Sequence, residues 1–114
     1  MVKFKDRFMR VLPKMRAAAR TSGYALTIHG SMERDFDIVL IPWTIKASSS
    51  SDVAHAVRNA AGSDNWRCPD AKVGSPHGRE WWPFDWKDSS NKNQDYVDMC
   101  IMPREGAINE SNML

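Results

Sequence analysis

Apolar residues recur every three or four positions near the start of the chain, as on one face of an amphipathic helix. Pro13 interrupts this pattern, because proline inside a helix removes a hydrogen bond and clashes with the preceding turn. We therefore expect either a kink or two short helices, with Gly23 just beyond the helical end. The residues that carry the pattern are Phe4, Phe8, Leu12, Met15 and Ala19.

Three later segments have the pattern of β-strands. Residues 24–29 and 35–41 are rich in strand-forming side chains and are joined by a short turn. Residues 95–102 form the third segment. The aromatic segment 81–86 contains Pro83, which limits it to an edge strand, because proline has no N–H for a second neighbour.

A second helix is predicted over about residues 52–61. Serines at 48–51 supply its N-cap, and Gly62 is a natural stop. Together the elements predict an α/β (α+β) fold, a short mixed β-sheet flanked by helices. We expect residues 1–103 to form a single domain with a basic N-terminal helix, and residues 104–114 to form a C-terminal tail.

Length and composition limit the class of protein. The 114 residues suffice for one small domain, and 42% hydrophobic and 26% charged residues are ordinary for a globular protein. No apolar stretch is long enough for a membrane span or a signal peptide, so we expect no membrane association and a cytoplasmic location. Cys68 and Cys100 match neither a disulfide framework nor a zinc motif, which favours free thiols.

Charge is distributed unevenly along the chain. Residues 1–20 hold seven basic side chains and one acidic side chain, whereas the other 94 residues hold nine basic and thirteen acidic ones. Such asymmetry indicates an anionic partner for the basic segment, either a nucleic acid or an acidic protein. A solvated helix face is the simpler explanation of the same pattern.

Acidic residues occupy unusual positions in two of the predicted strands. Asp35 and Asp37 project from one side of their strand, because successive side chains alternate, and Asp98 lies in an otherwise apolar strand. Crowded carboxylates repel each other unless a cation intervenes, and Mg²⁺ prefers oxygen ligands. Neighbouring strands would bring the three carboxylates together at a metal site. An ion pair with Arg34 or Arg79 is the structural alternative.

This combination of motifs resembles the polymerase-beta-type nucleotidyltransferase superfamily, and most closely its minimal members from bacteria, archaea and phage. The resemblance covers residues 24–41 and 95–102: a strand ending in Gly-Ser, an Asp-x-Asp strand and a third Asp. It implies a Mg²⁺-dependent (or Mn²⁺-dependent) enzyme. Such an enzyme transfers a nucleoside monophosphate from a nucleoside triphosphate to a hydroxyl of an RNA, a protein or a small molecule, often beside a partner chain.

The resemblance also implies a role for each motif residue. Asp35 and Asp37 bind metal with the nucleotide, and Asp98 completes the second metal site and helps to activate the acceptor hydroxyl. Gly30 and Ser31 hold the triphosphate, since glycine lets the backbone approach phosphates and the serine hydroxyl donates a hydrogen bond. Three further side chains are candidates for balancing phosphate charge: Arg34, His77 and Arg79.

A departure from the family's pattern leaves other functions open. Only three residues separate Ser31 from Asp35, where the family usually has a longer, partly helical segment. A catalytically inactive protein that keeps the fold and regulates a host or partner protein by binding is therefore the second interpretation. A nucleic-acid-binding module that uses residues 1–20 is the third. The aromatic cluster stacks on bases, fills a core or forms an interface, and comprises Trp81, Trp82, Phe84 and Trp86.

Overall fold

The computed structural model describes residues 4–29, 36–67, 72–73, 78–85 and 96–103. These ranges contain two helices and seven strands in a mixed α+β arrangement, which confirms the predicted fold class. The helices are α1 (Phe4–Thr21) and α2 (Ser50–Ala60). The strands are β1 (Tyr24–His29), β2 (Phe36–Pro42), β3 (Asn65–Trp66), β4 (Lys72–Val73), β5 (Glu80–Trp81), β6 (Phe84–Asp85) and β7 (Tyr96–Ile101).

Helix α1 continues through Pro13 as one element of 18 residues, so the alternative of two short helices is wrong. Pro13 lies on the exposed side of the helix, where its ring takes no space from the core. The opposite side carries the apolar pattern of the sequence. Its buried residues are Phe8, Leu12, Met15 and Ala19.

Helix α2 begins after Ser49, whose side-chain oxygen accepts a hydrogen bond of 3.2 Å from the backbone N–H of Asp52. This N-cap is the role predicted for the serines, because the first turn of a helix has N–H groups without helical partners. The helix ends at Ala60, and Gly62 turns the chain with a φ of +82°.

The sheet is mixed, and β7 lies near its centre. Strand β2 pairs antiparallel with β1 and parallel with β7. On its other side β7 pairs antiparallel with both β5 and β6, in the same register on either side of Pro83. Strands β4 and β3 continue the sheet beyond β5 and β6. In the described ranges β1 has no partner except β2 and is therefore an edge strand.

The prediction of an edge strand for residues 81–86 is wrong. Strand β5 pairs with both β4 and β7, and β6 pairs with both β3 and β7. Pro83 falls between the two short strands, so its missing N–H interrupts the ladder without removing either neighbour. Trp82 beside it still donates its backbone N–H to the carbonyl of Met99 at 2.7 Å.

The core lies between the helices and one face of the sheet. Alternate residues of β2 and β7 are fully buried there, and the ring of Phe8 on α1 stacks on Phe36 at a centroid distance of 4.3 Å. The buried strand residues are Phe36, Ile38, Leu40, Val97, Met99 and Ile101. Neither described helix is long and apolar enough to span a lipid bilayer.

Candidate functional site on the polar face of the sheet

Asp37 and Asp98 are direct neighbours across the parallel pair of β2 and β7. Adjacent strands lie about 4.8 Å apart, and residues in register point to the same face of a sheet. Both aspartates are half-buried, whereas the residues on either side of each are fully buried on the helix side. The two carboxylates therefore lie together on the face opposite the helices.

The same face carries several other side chains that can bind a ligand or react. His29 on β1 is in register with Asp37, and Trp81 on β5 is in register with Cys100 on β7. We call this side of the sheet the polar face, defined by His29, Asp37, Trp81, Asp98 and Cys100. It spans four adjacent strands, since each of these residues belongs to β1, β2, β5 or β7.

The indole of Trp81 fixes one oxygen of Asp98. Its Nε1–H donates to Oδ1 of the carboxylate. Within the described parts of the chain, no lysine or arginine forms an ion pair with Asp98. The ion pair with Arg79 that the sequence left open is therefore not formed at Asp98.

The pKa of the Cys100 thiol depends on the charged side chains around the polar face, which include Arg79. Burial raises the pKa of the Cys100 thiol, the negative charges of Asp98 and Asp37 raise it further, and the guanidinium of Arg79 opposes them. The Nε of Arg79 is buried and has no hydrogen-bond partner in the structure. The charges of Arg79, Asp98 and Asp37 therefore all act on the Cys100 thiol, and Arg79 forms no ion pair with Asp98 in the described ranges.

A third carboxylate of the sheet, Asp85, was not singled out from the sequence. It is in register with Tyr96 and is buried, and it accepts from Arg67 Nη1 at 2.8 Å and from Asn65 Nδ2 at 3.1 Å. Arg67 also lies over the ring of Tyr96 at 4.2 Å. This neutralised carboxylate has a structural role. Alternation of side chains from Trp81 predicts that Asp85 lies on the same side of the sheet as Trp81, and its register opposite Tyr96 agrees.

Glu80 belongs to the opposite face. Both of its carboxylate oxygens accept from Ser50 Oγ at 2.8 Å, and one also accepts from Trp82 Nε1 at 2.9 Å. Ser50 is the first residue of α2. Glu80 therefore ties the N-terminus of this helix to the sheet and is not part of the candidate site.

The predicted aromatic cluster is divided between the two faces. Trp81 lies on the polar face, whereas Trp82 and Phe84 lie on the helix side. Trp66, which is outside the predicted cluster, lies with them. Trp66 and Trp82 contact each other edge to face at 5.3 Å, and the His55 ring of α2 lies within 6.1 Å of both. Trp86 lies outside the described residues.

Several of the predicted site residues fall outside the ranges that the structure describes: Gly30, Ser31, Arg34, Asp35 and His77. Among the residues that it does describe, no group of three or more His, Cys, Asp and Glu side chains is arranged to hold a metal ion. Asp37 and Asp98 nevertheless supply two adjacent carboxylates, which are the ligands that Mg²⁺ and Mn²⁺ prefer. Their chemistry fits such an ion.

Comparison with protein-family models and with curated proteins gives no match for this chain.

Proposed function

We propose that this protein is a Mg²⁺-dependent nucleotidyltransferase-like enzyme that transfers a nucleoside monophosphate from a nucleoside triphosphate to a hydroxyl acceptor. The observation that supports it is the pairing of Asp37 with Asp98 in register on adjacent parallel strands. Two carboxylates in register on adjacent strands are oxygen ligands of the kind that Mg²⁺ and Mn²⁺ prefer. A divalent cation held there can also bind phosphate oxygens, which would give the two carboxylates a function.

The chain's own residues would divide the work. Asp37 and Asp98 would hold the ion, with Asp35 of the sequence motif as the third carboxylate. A bound Mg²⁺ supplies charge neutralisation for the phosphates during transfer. Gly30 and Ser31, which precede the Asp-x-Asp segment in the sequence, would receive the triphosphate through backbone and hydroxyl donors.

Trp81 and Arg79 would position these groups. The Trp81 indole donates to Oδ1 of Asp98 and would so hold this carboxylate in one orientation when an ion is bound. The Arg79 guanidinium has a fork of donors that matches phosphate oxygens, and its charge would offset that of the triphosphate. Catalysis of this kind depends mainly on positioning and on electrostatic stabilisation of the transferred group.

The test is incorporation of a labelled nucleoside monophosphate from a triphosphate in the presence of Mg²⁺ or Mn²⁺, offered RNA, protein and small-molecule acceptors. Asp37→Asn and Asp98→Asn should each reduce incorporation by at least about 100-fold, since even residues that only orient metal ligands are worth about 10- to 100-fold. Asp52→Asn is the matched control, because Asp52 is an exposed carboxylate on α2 that is remote from the polar face.

Two results would contradict the proposal. One is equal incorporation by the wild-type protein and the Asp37→Asn variant. The other is no incorporation by the wild-type protein with any nucleotide and acceptor class, together with no Mn²⁺ binding that depends on Asp37 and Asp98. The second result would favour the interpretation of a protein that keeps the fold and acts by binding a partner.

A further inference from the structure

A second concave surface lies between the C-terminal half of α1 and the edge strand β1. It encloses about 270 Å³ and is lined by two arginines of α1, by the first residues of β1 and by the tryptophan that follows β2. We call it the α1–β1 groove, defined by Arg16, Arg20, Ala25, Leu26 and Trp43. None of these residues belongs to the polar-face site proposed above.

The groove presents two positive charges. Arg16 and Arg20 are one helical turn apart, so their side chains lie on the same side of α1. Both are exposed, and neither forms an ion pair with an acidic residue in the described ranges. The sequence explains their presence only as part of a generally basic helix. The structure adds that these two face a groove, whereas Arg10 and Lys14 do not line it.

An aromatic ring lies beside the two arginines. Trp43 is 63% exposed, which is high for the largest apolar side chain. Its position is fixed through Gly23, which accepts from the backbone N–H of Trp43 at 3.0 Å and donates to the carbonyl of Arg20 at 3.0 Å. One glycine thus joins the backbone at Trp43 to the backbone at the end of α1, and places the tryptophan and the two arginines in the same part of the surface.

We propose that the α1–β1 groove binds single-stranded nucleic acid, with one base stacked on Trp43 and the flanking phosphates paired with Arg16 and Arg20. An exposed indole suits the flat face of an unpaired base, and guanidinium groups suit phosphate oxygens. A simple inorganic anion would use the arginines but leave the indole exposed. A purely apolar ligand would leave two charges unpaired. A nucleotide unit satisfies both parts of the surface.

The same geometry favours a single-stranded nucleic acid over a duplex as the ligand. Bases within a duplex are stacked on each other and offer no free face to an aromatic side chain. The volume of the groove, about 270 Å³, is slightly smaller than the usual lower limit for ligand pockets, about 300 Å³. The groove therefore has room for one planar base but not for a nucleic-acid duplex.

The test is fluorescence anisotropy with a labelled single-stranded RNA of mixed sequence, over a range of salt concentrations. Arg16→Gln with Arg20→Gln should weaken binding at least about 10-fold and should reduce the slope of log K against log salt by about 1.4, that is, about 0.7 for each lost contact. Trp43→Ala should weaken binding by about 5-fold or more, the usual effect of losing one stacked base.

Matched controls separate this groove from general electrostatics. Arg10→Gln with Lys14→Gln removes the same charge from the same helix outside the groove, and Ile45→Ala removes a side chain that is 73% exposed two residues from Trp43. Both control variants should keep the wild-type affinity within about 3-fold. Asp37→Asn should also bind RNA like the wild type, so loss of catalysis and loss of binding are distinguishable. Circular dichroism confirms that each variant is folded.

Four outcomes would overturn the proposal. These are no RNA binding at low salt, equal loss in the two double variants, equal affinity for a duplex of the same sequence, and unchanged affinity in Trp43→Ala. A polyglutamate peptide that binds more tightly than RNA, with the same dependence on Arg16 and Arg20, would likewise overturn it. That last result would assign the groove to an acidic protein segment.

Discussion

Gly23 has a conformation and a contact that together exclude other residues. Its φ is +90°, and a Cβ added to it would lie 2.8 Å from the Cα of Ala47. Gly62 has a similar φ of +82° but has no atom within 4 Å of such a Cβ. Comparing the two positions therefore separates backbone strain from close approach.

We predict that Gly23→Ala is more destabilising than Gly62→Ala. Both variants place an L residue in the left-handed region, at a cost of about 1–2 kcal/mol, but only Gly23→Ala adds steric overlap, at about 1–3 kcal/mol more. Urea unfolding of the two variants measures the difference in the free energy of unfolding. Equal losses would show that the Ala47 backbone moves away freely.

The Cys100 thiol is a reporter of the charges on the polar face. Its pKa is raised first by burial, then by Asp98, and Arg79 opposes the shift. Asp98→Asn should therefore lower the pKa of Cys100, and Arg79→Gln should raise it. Because the thiolate is the reactive form, alkylation at a fixed pH below the pKa should be faster in Asp98→Asn and slower in Arg79→Gln.

The measurement is the pH dependence of the iodoacetamide rate in a Cys68→Ser background, which leaves one thiol. Asp52→Asn is again a suitable control, since Asp52 is not among the charges that act on Cys100. An unchanged profile in Asp98→Asn, or the opposite order of the two variants, would contradict the arrangement of Asp98, Arg79 and Cys100 described here.

At the scale of elements, the carboxylate of Glu80 joins the first residue of α2 to the sheet. Glu80 on β5 accepts hydrogen bonds from the hydroxyl of Ser50, which is shared between its two carboxylate oxygens, and from the indole N–H of Trp82. We predict that Glu80→Ala lowers the free energy of unfolding by about 1.5–3 kcal/mol, because hydrogen bonds to charged groups are worth about this much. Thermal or urea unfolding checks the value.

The control for this prediction is Asp52→Ala, which removes an exposed carboxylate from the first turn of the same helix. It should cost only about 0.3–1 kcal/mol, the usual value of an acidic side chain near a helix N-terminus. If the two variants lose the same stability, Glu80 acts only through the helix dipole and the contacts with Ser50 and Trp82 contribute nothing.

Elements with a strong local pattern are the ones that the sequence predicts well. Strand β1 has the predicted bounds, residues 24–29. Large and small side chains alternate over these residues, and a glycine stands on either side of them in the sequence. The error at Pro83 has a different cause. Strands β3 and β4 are each two residues long, too short for a hydrophobic period to be detected. No local sequence pattern therefore indicates that they pair with β6 and β5.

The candidate site shows the same division. Alternation within each strand is local, and it predicts the faces of Asp37 and Asp98 separately. Their register is not local, since a parallel pair joins segments about sixty residues apart and is set by core packing of the whole sheet. The α1–β1 groove depends on a contact through Gly23 that no spacing in the sequence reveals.

At the scale of the whole molecule, the two proposed sites lie toward opposite ends of one strand. The α1–β1 groove is lined by the first residues of β1, whereas Asp37 is in register with His29 at its end. From Tyr24 to His29 the strand covers five residue steps, about 16 Å at about 3.3 Å per residue. The groove lies on the side of the helices and the carboxylates lie on the opposite face, so a single-stranded nucleic acid bound in the groove would have to pass around the edge strand β1 to bring its terminal hydroxyl to the carboxylates.

If both proposals hold, RNA is the acceptor and the two sites contribute to different kinetic constants. Arg16→Gln with Arg20→Gln should raise the KM for the RNA by about 10-fold and leave kcat at saturating RNA unchanged, because it removes binding that is equal in the ground and transition states. Asp98→Asn should have the reverse effect, a loss of kcat with an unchanged Kd for RNA. Steady-state kinetics and anisotropy on the same variants measure both. A fall of kcat in the arginine variant at saturating RNA would place the arginines at the reacting phosphates and would contradict the separation of the two sites.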